Sequence, residues 1–335
     1  MNKAKIMLKN YTHHNTESSL TKTIVFADLD DTLFRSYRKL TADFKNNGIN
    51  ADISTLPVGA YNKKNLPEKN SHLEPFRMKM VDWIVEKADL FIPTTMRTLQ
   101  QFDRINFELF NFPNLKYIIT DNGKYIHIIN QTAGHVATTN EVSKIVTDYN
   151  TSQKTKNKYE LLSDWANMMN TGFFDNPNNP SLSDTALFIK EQSKQNKMFH
   201  NDHFTVFNTE QLITYKNDWE STLLHSFFKN IQFNPDENIV LNGYIDGKVT
   251  NNDIVPQEVH DYMFELGFYI YQSYDRIAFV PYYQRKEYAV YYLMKMLNIN
   301  SYHDLVIGLG DNDIDVNFMN LCSFAMIPQN SNLLR

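Results

Sequence analysis

Apolar residues cluster in short dense runs separated by amphipathic stretches, and at both ends of the chain the two alternate. Thr23-Ile24-Val25-Phe26-Ala27 is almost wholly apolar or β-branched, the pattern of a strand buried on both faces. Residues 74–87 place Met78, Val81, Ile84 and Val85 on one side of a helix. A second strand is predicted over 88–93, a helix over 97–110 and a third strand over 115–120, closed by the turn signal Asp121-Asn122-Gly123. The same texture returns late, with a helix over 286–297 and a strand over 304–311. Strands alternating with helices predict a parallel sheet covered on both faces.

The middle reads differently. Residues 124–130 and 134–139 pattern as a hairpin, 141–170 as helix, and 172–205 as an irregular stretch rich in Asn, Pro and Ser. Further strand and helix units follow, so this half has α+β character. Residues 42–72, rich in Asn and Lys, read as irregular, and the interval 36–73 that contains them as a surface excursion more than a flap. The expected fold is α/β: a doubly wound, mostly parallel Rossmann-like core interrupted by a second, α+β domain. Its segments are a polar tail (1–21), a first core segment (22–124), the inserted α+β domain (125–274) and a second core segment (275–335).

Composition narrows the class. A hydrophobic fraction of 42% in 335 residues supports a sizeable core and excludes a wholly disordered chain. The net charge of −5 offers no global excess of cations for nucleic acid. No apolar run approaches the ~20 residues that span a bilayer. The single Cys322 fits a reducing compartment and reads as a buried, inert thiol. The expectation is a soluble cytoplasmic protein, with no nucleic-acid or membrane partner and no signal for its oligomeric state. The 10 glycines are few against an average near 7%, so each one raises the question of why it is there.

The chemistry concentrates at two strand ends. Asp28-Leu29-Asp30-Asp31-Thr32 follows the first strand, at the sheet edge where ligands bind. Asp28 and Asp30, two apart, are expected on one side. Carboxylates so close need a shared proton or a cation, and magnesium suits hard oxygen donors. A second acidic loop, Gly308-Leu309-Gly310-Asp311-Asn312-Asp313-Ile314-Asp315, follows the strand at 304–307. Asp311 and Asp315 are spaced as on one helix face. Thr95 lies just past the second strand and Lys286 opens a helix; singly, each has the ordinary reading of a surface residue.

In this order the segments resemble the four motifs of the haloacid dehalogenase (HAD) superfamily: DxDxT at Asp28–Thr32, a Thr at Thr95, a Lys at Lys286 and an acidic loop at Gly310–Asp315. Lys286 with Ala289 resembles the KxxA pattern, and Asn122-Gly123 the turn closing the first core half, of members whose cap lies late. The long interval between Thr95 and Lys286 is where Cof-type and sucrose-phosphatase-like phosphatases carry a large cap. The resemblance covers the two core segments and not the middle.

It implies a phosphatase for a small phosphorylated metabolite, with a sugar phosphate favoured. Asp28 would be the nucleophile and Asp30 the general acid and base. Thr95 and Lys286 would hold the phosphoryl group. Mg2+ would be bound by Asp28, the Asp30 carbonyl, Asp311 and Asp315. Arg97 is a weak substrate candidate, and a salt bridge at a helix start is the favoured reading. Ile314 stands where many relatives have Asn, which leaves Asp313 as a possible sharer of the Asp315 role. His200, Asp202 and His203 resemble a metal group, but their spacing is too close for a closed site. The other readings are a sugar phosphomutase on the same scaffold and a non-catalytic phosphate-ligand-binding protein.

Overall fold

The structure is a computed structural model. It describes residues 21–64, 66–106, 113–130, 158–172, 179–192, 210–211, 214, 228–233, 241–245, 257–273, 276–329 and 331–334. Among these the strands are β1 (Thr23–Ala27), β2 (Arg35–Ser36), β3 (Val58–Ala60), β4 (Ser71–His72), β5 (Leu90–Pro93), β6 (Tyr117–Thr120), β7 (Tyr125–Ile129) and β8 (Tyr159–Leu161). They continue with β9 (Phe228–Phe233), β10 (Leu241–Ile245), β11 (Phe268–Ser273), β12 (Arg276–Pro281), β13 (Leu305–Leu309) and β14 (Phe324–Met326). The helices are α1 (Tyr37–Asn46), α2 (Pro75–Lys87), α3 (Leu99–Phe102), α4 (Ser163–Thr171), α5 (Pro180–Gln192), α6 (Gln257–Glu265), α7 (Lys286–Met296) and α8 (Asp313–Met319).

The central sheet is parallel, in the order β14-β13-β1-β5. Parallel bridges from Phe91 to Leu115 and from Thr94 to Ile119 carry it on towards β6. The period of two in β1 sorts its side chains between two cores. Ile24 and Phe26 pack with Ile92, Val306, Tyr288, Ala289, Tyr292, Leu293 and Phe318, under α7 and α8. Val25 and Ala27 pack with Phe91, Ile307, Leu309, Val81 and Ile84, under α2. Both faces are therefore dry, which is why β1 reads as a continuous apolar run. Each large side chain so buried contributes about 1.5–3 kcal/mol. The expected parallel sheet with helices on both faces is what the chain forms.

A second sheet, β11-β12-β10-β9, is antiparallel throughout. No described helix is long and apolar enough to cross a membrane.

Several local expectations are corrected. Residues 42–72 are not irregular: α1 ends there, and β4 pairs antiparallel with β3 on one side and with β2 on the other in a small sheet. The helix expected over 97–110 stops at Phe102, where the chain turns so that Ile105 bridges back to Ala60. β7 pairs with β6 and β8; its expected partner at 134–139 lies outside the described residues. Of the helix expected over 141–170, only the last part is described as helix, preceded by β8. The polar stretch 172–205 contains α5, whose Leu182, Thr185, Ala186 and Ile189 are buried.

Candidate active site

The register of β1 beside β13 sets the site. The Asp28 amide donates to the Leu309 carbonyl at 2.9 Å, so the loops leaving these two strands start side by side. The first loop is pinned from beneath by Arg77 of α2. Its Nε donates to the Thr32 carbonyl (2.9 Å) and its Nη2 to the Asp31 carbonyl (2.7 Å), while Nη1 pairs with Glu74. Asp31 sits in the left-handed region at φ 65°, which Asp tolerates better than most residues. Its carboxylate pairs with Lys39 of α1.

The second loop folds back on itself. Asp315 Oδ2 accepts the amides of Asp311 (3.1 Å) and Asn312 (3.2 Å). Asn312 caps α8, its side chain accepting from the Asp313 amide. Gly310 is required by this packing: a Cβ there would lie 2.9 Å from Asp315 Cγ. Asp311 precedes the helix, so the pair meets by this back-folding and not as neighbours on one helix face. Asp315 is buried and Asp313 exposed, which leaves Asp313 no share in the cluster.

Lys286, at the start of α7, joins the two loops. Its Nζ donates to Asp28 Oδ1 at 2.6 Å and to Asp315 Oδ1 at 2.7 Å. Thr32 lies within weaker reach of the other carboxylates: its Oγ1 is 3.2 Å from Asp311 Oδ1 and 3.4 Å from Asp28 Oδ2. The entry to α7 is fixed by Gly123, at φ 96°, where any Cβ would collide with the Arg285 carbonyl.

Electrostatics shows what this cluster lacks. Burial pushes the Asp28 carboxyl well above the usual range; Lys286 opposes the shift, and Asp315, Asp311 and Asp30 reinforce it. Asp311 is raised to about 7, first by burial and then by Asp31 and Asp315. Burial alone would lower the Lys286 ammonium, but Asp28 and Asp315 hold it above its ordinary value. One ammonium thus faces three buried carboxylates. Oxygen atoms of Asp28, Asp311 and Asp315 lie within 4.8 Å of one another, a hard donor set of the kind that suits Mg2+.

Asp30 does not join this cluster. It is half-exposed and accepts from Arg97 Nε and Nη2, both at 2.6 Å. Burial works to raise its pKa, but the charge and hydrogen bonds of Arg97 outweigh it and hold the carboxyl below the ordinary value. So Asp28 and Asp30 diverge, and Arg97 makes the salt bridge. Thr95 is buried at the end of β5, and its Oγ1 accepts from the Arg97 amide at 3.1 Å. Its backbone is tied to β6 and the Asn122 turn. The structure therefore brings Asp28, Lys286, Asp311 and Asp315 into direct contact, and sets Thr95 and the Asp30–Arg97 pair on the adjoining strand ends.

Three contributors had no separate role in the sequence reading: Thr32, Arg77 and Tyr271. Tyr271 of β11 accepts from Asn312 Nδ2 at 3.1 Å. Burial, then Asp311 and Asp315, push its phenol up. Arg77 sits on an otherwise amphipathic helix, and the Tyr271 contact links distant segments, so neither leaves a local signal. Cys322, expected to be buried, is half-buried, and desolvation raises its thiol to about 12. His200, Asp202 and His203 lie outside the described residues.

No family model and no curated protein matches the chain. Solved structures do align with it. The chain is similar to haloacid dehalogenase superfamily proteins. A sucrose-phosphatase from Synechocystis sp. PCC6803, in complex with sucrose and phosphate, is 11% identical over 93% of this chain and 85% of its own, with TM-score 0.44. A HAD subclass IIB sugar phosphatase is 11% identical over 93% and 89%, with TM-score 0.40. A haloacid dehalogenase-like hydrolase from Bacillus subtilis is 12% identical over 94% and 85%, with TM-score 0.38. At such identity and overlap, what the site does has to be decided from its own geometry.

Proposed function

We propose that the chain is a haloacid dehalogenase-type, magnesium-dependent phosphatase. Its substrate is a small phosphorylated metabolite, with a sugar phosphate favoured, and the reaction runs through an aspartyl phosphate. The observation that carries this reading is the ammonium of Lys286 bonded at once to Asp28 and Asp315, which ties a candidate nucleophile to an acidic loop.

Asp28 Oδ attacks phosphorus, forming the acyl phosphate as the bond to the leaving oxygen breaks. Lys286 keeps the nucleophile oriented and offsets charge on the phosphoryl oxygens. Thr95, at the adjoining strand end, supplies a hydroxyl donor to the same group. Asp30 protonates the leaving alkoxide, then takes a proton from the water that hydrolyses the acyl phosphate. Paired with Arg97 as here, Asp30 is a carboxylate and fits the second role; donation in the first requires that pair to open. Asp28, Asp311 and Asp315, with the Asp30 carbonyl, would hold Mg2+. When bound, the ion lowers repulsion between the anionic nucleophile and the phosphate ester.

The test is phosphate release from a panel of phosphorylated metabolites with Mg2+, with EDTA, and in Asp28→Asn. Magnesium-dependent release lost in the variant is expected. An isomerised sugar phosphate in place of free phosphate would indicate a phosphomutase. Binding without turnover would indicate a ligand-binding protein.

A further inference from the structure

Two tyrosines stand two apart on β11, and so on the same face of the antiparallel sheet. Their hydroxyls have opposite fates. Tyr269 is fully used by the protein: it donates to the Gln284 carbonyl at 3.0 Å and accepts from Asn122 Nδ2, locking the sheet where it joins α7. Tyr271 accepts from Asn312 Nδ2 at 3.1 Å, and its own O–H has no acceptor among the described residues. Asn312 cannot turn to take that proton, because its Oδ1 already accepts from the Asp313 amide at 2.8 Å. The phenol is therefore held by its lone pair, with its proton uncommitted, next to the residue that follows Asp311.

We infer that Tyr271 is a specificity-determining residue, donating its hydrogen bond to an oxygen of the substrate's organic portion beside the phosphoryl group. This rests on the phosphatase reading and deepens it. A neutral phenol keeps its proton at pH 7, and Asn312 fixes the oxygen from which it donates. A substrate oxygen that accepts there completes a chain from Asn312 through Tyr271 to the ligand. Tyr271 is half-buried, and a ligand that covers it without offering such an oxygen leaves its donor unpaired, which costs more than the bond itself contributes. The class selected is a phosphate ester whose alcohol carries a hydroxyl or carbonyl near the ester, and aryl phosphates are disfavoured.

The test compares wild type with Tyr271→Phe, which keeps the ring and removes the donor. A panel of glycerol 3-phosphate, glucose 6-phosphate and mannose 6-phosphate identifies the polyol ester that wild type uses best, and phenyl phosphate is the comparator. Loss of one hydrogen bond to a neutral oxygen predicts that kcat/KM for the polyol ester falls at least tenfold further than for phenyl phosphate. Equal losses on both, with or without a fall in thermal stability, would make Tyr271 a structural clasp and overturn the inference. Unchanged values would overturn it too.

A binding arm separates the two readings. Calorimetry of the same polyol ester and of inorganic phosphate should show Tyr271→Phe weakening only the former. Wild type that binds the ester without hydrolysing it sinks the phosphatase reading and leaves Tyr271 to be decided by this arm. Wild type that binds neither overturns both.

Discussion

Replacing Lys286 with methionine keeps most of the volume of a buried side chain and removes an ammonium bonded to two carboxylates at 2.6 and 2.7 Å. Removing one partner of a buried ion pair costs about 3–5 kcal/mol, because the other charge stays buried without compensation. Here two carboxylates are stranded, but Asp28 already sits well above the usual carboxyl range through burial and can take up a proton instead. The cost is therefore pH-dependent. A carboxyl raised in the folded state makes that state bind more protons than the unfolded chain, so its stabilising effect is full at low pH and is lost as pH rises through the folded pKa. For Asp311 that window runs from about 4 to about 7, and Lys286→Met, by removing a charge that lowers both, pushes Asp28 and Asp311 further in the same direction. Urea titrations in EDTA should show a deficit of about 4 kcal/mol at pH 8 that is clearly smaller at pH 5. Added Mg2+ should recover more stability in the variant than in wild type, since a cation then has more uncompensated charge to neutralise. A deficit below about 1 kcal/mol at pH 8, or one that does not vary with pH, would refute the picture of a charge-starved acidic cluster.

Other perturbations probe the supports of the site. Gly310→Ala places a Cβ 2.9 Å from Asp315 Cγ; overpacking of this kind costs about 1–3 kcal/mol, and phosphate release should fall at least tenfold as the acidic loop shifts. Arg77→Met leaves Glu74 with only the longer ion pair to Arg35 at 3.8 Å and strands the carbonyls of Asp31 and Thr32, so denaturant titration should show a loss of about 1–3 kcal/mol, with kcat reduced more than KM is raised. His127 is held by burial at about 4, below its unfolded value near 6.5. Its neutral form thus contributes stability above pH 6.5 that is lost as pH falls towards 4. The difference between wild type and His127→Gln should change by about 3 kcal/mol across that window, and a constant difference would remove His127 from the account.

What the sequence disclosed follows from how local each signal is. β1 was legible because a strand buried on both faces must be apolar at every position, and the acidic residues after it break that run abruptly. The second acidic loop was legible for the same reason after β13, and Gly310 marked it because the Asp315 side chain fills the space of its missing Cβ. The small sheet of β2, β3 and β4 escaped notice because strands of two or three residues carry no measurable period. Arg77 escaped because a buried arginine satisfied by backbone carbonyls looks, in sequence, like a solvated one. The Asp30–Arg97 pair was half-visible: the arginine was expected to form a salt bridge at a helix start, but its partner lies across the sheet edge. The choice between Asp313 and Asp315 depended on where α8 begins, and the Asn312 cap settles that in three dimensions.

The central claim is that Asp28 becomes phosphorylated during turnover. Acid quench of the protein turning over a 32P-labelled ester with Mg2+, followed by peptide mapping, tests it most directly. The account predicts hydroxylamine-labile label on the peptide containing Asp28, and none in Asp28→Asn. Label on another residue, or steady hydrolysis by Asp28→Asn at a rate within tenfold of wild type, would contradict it.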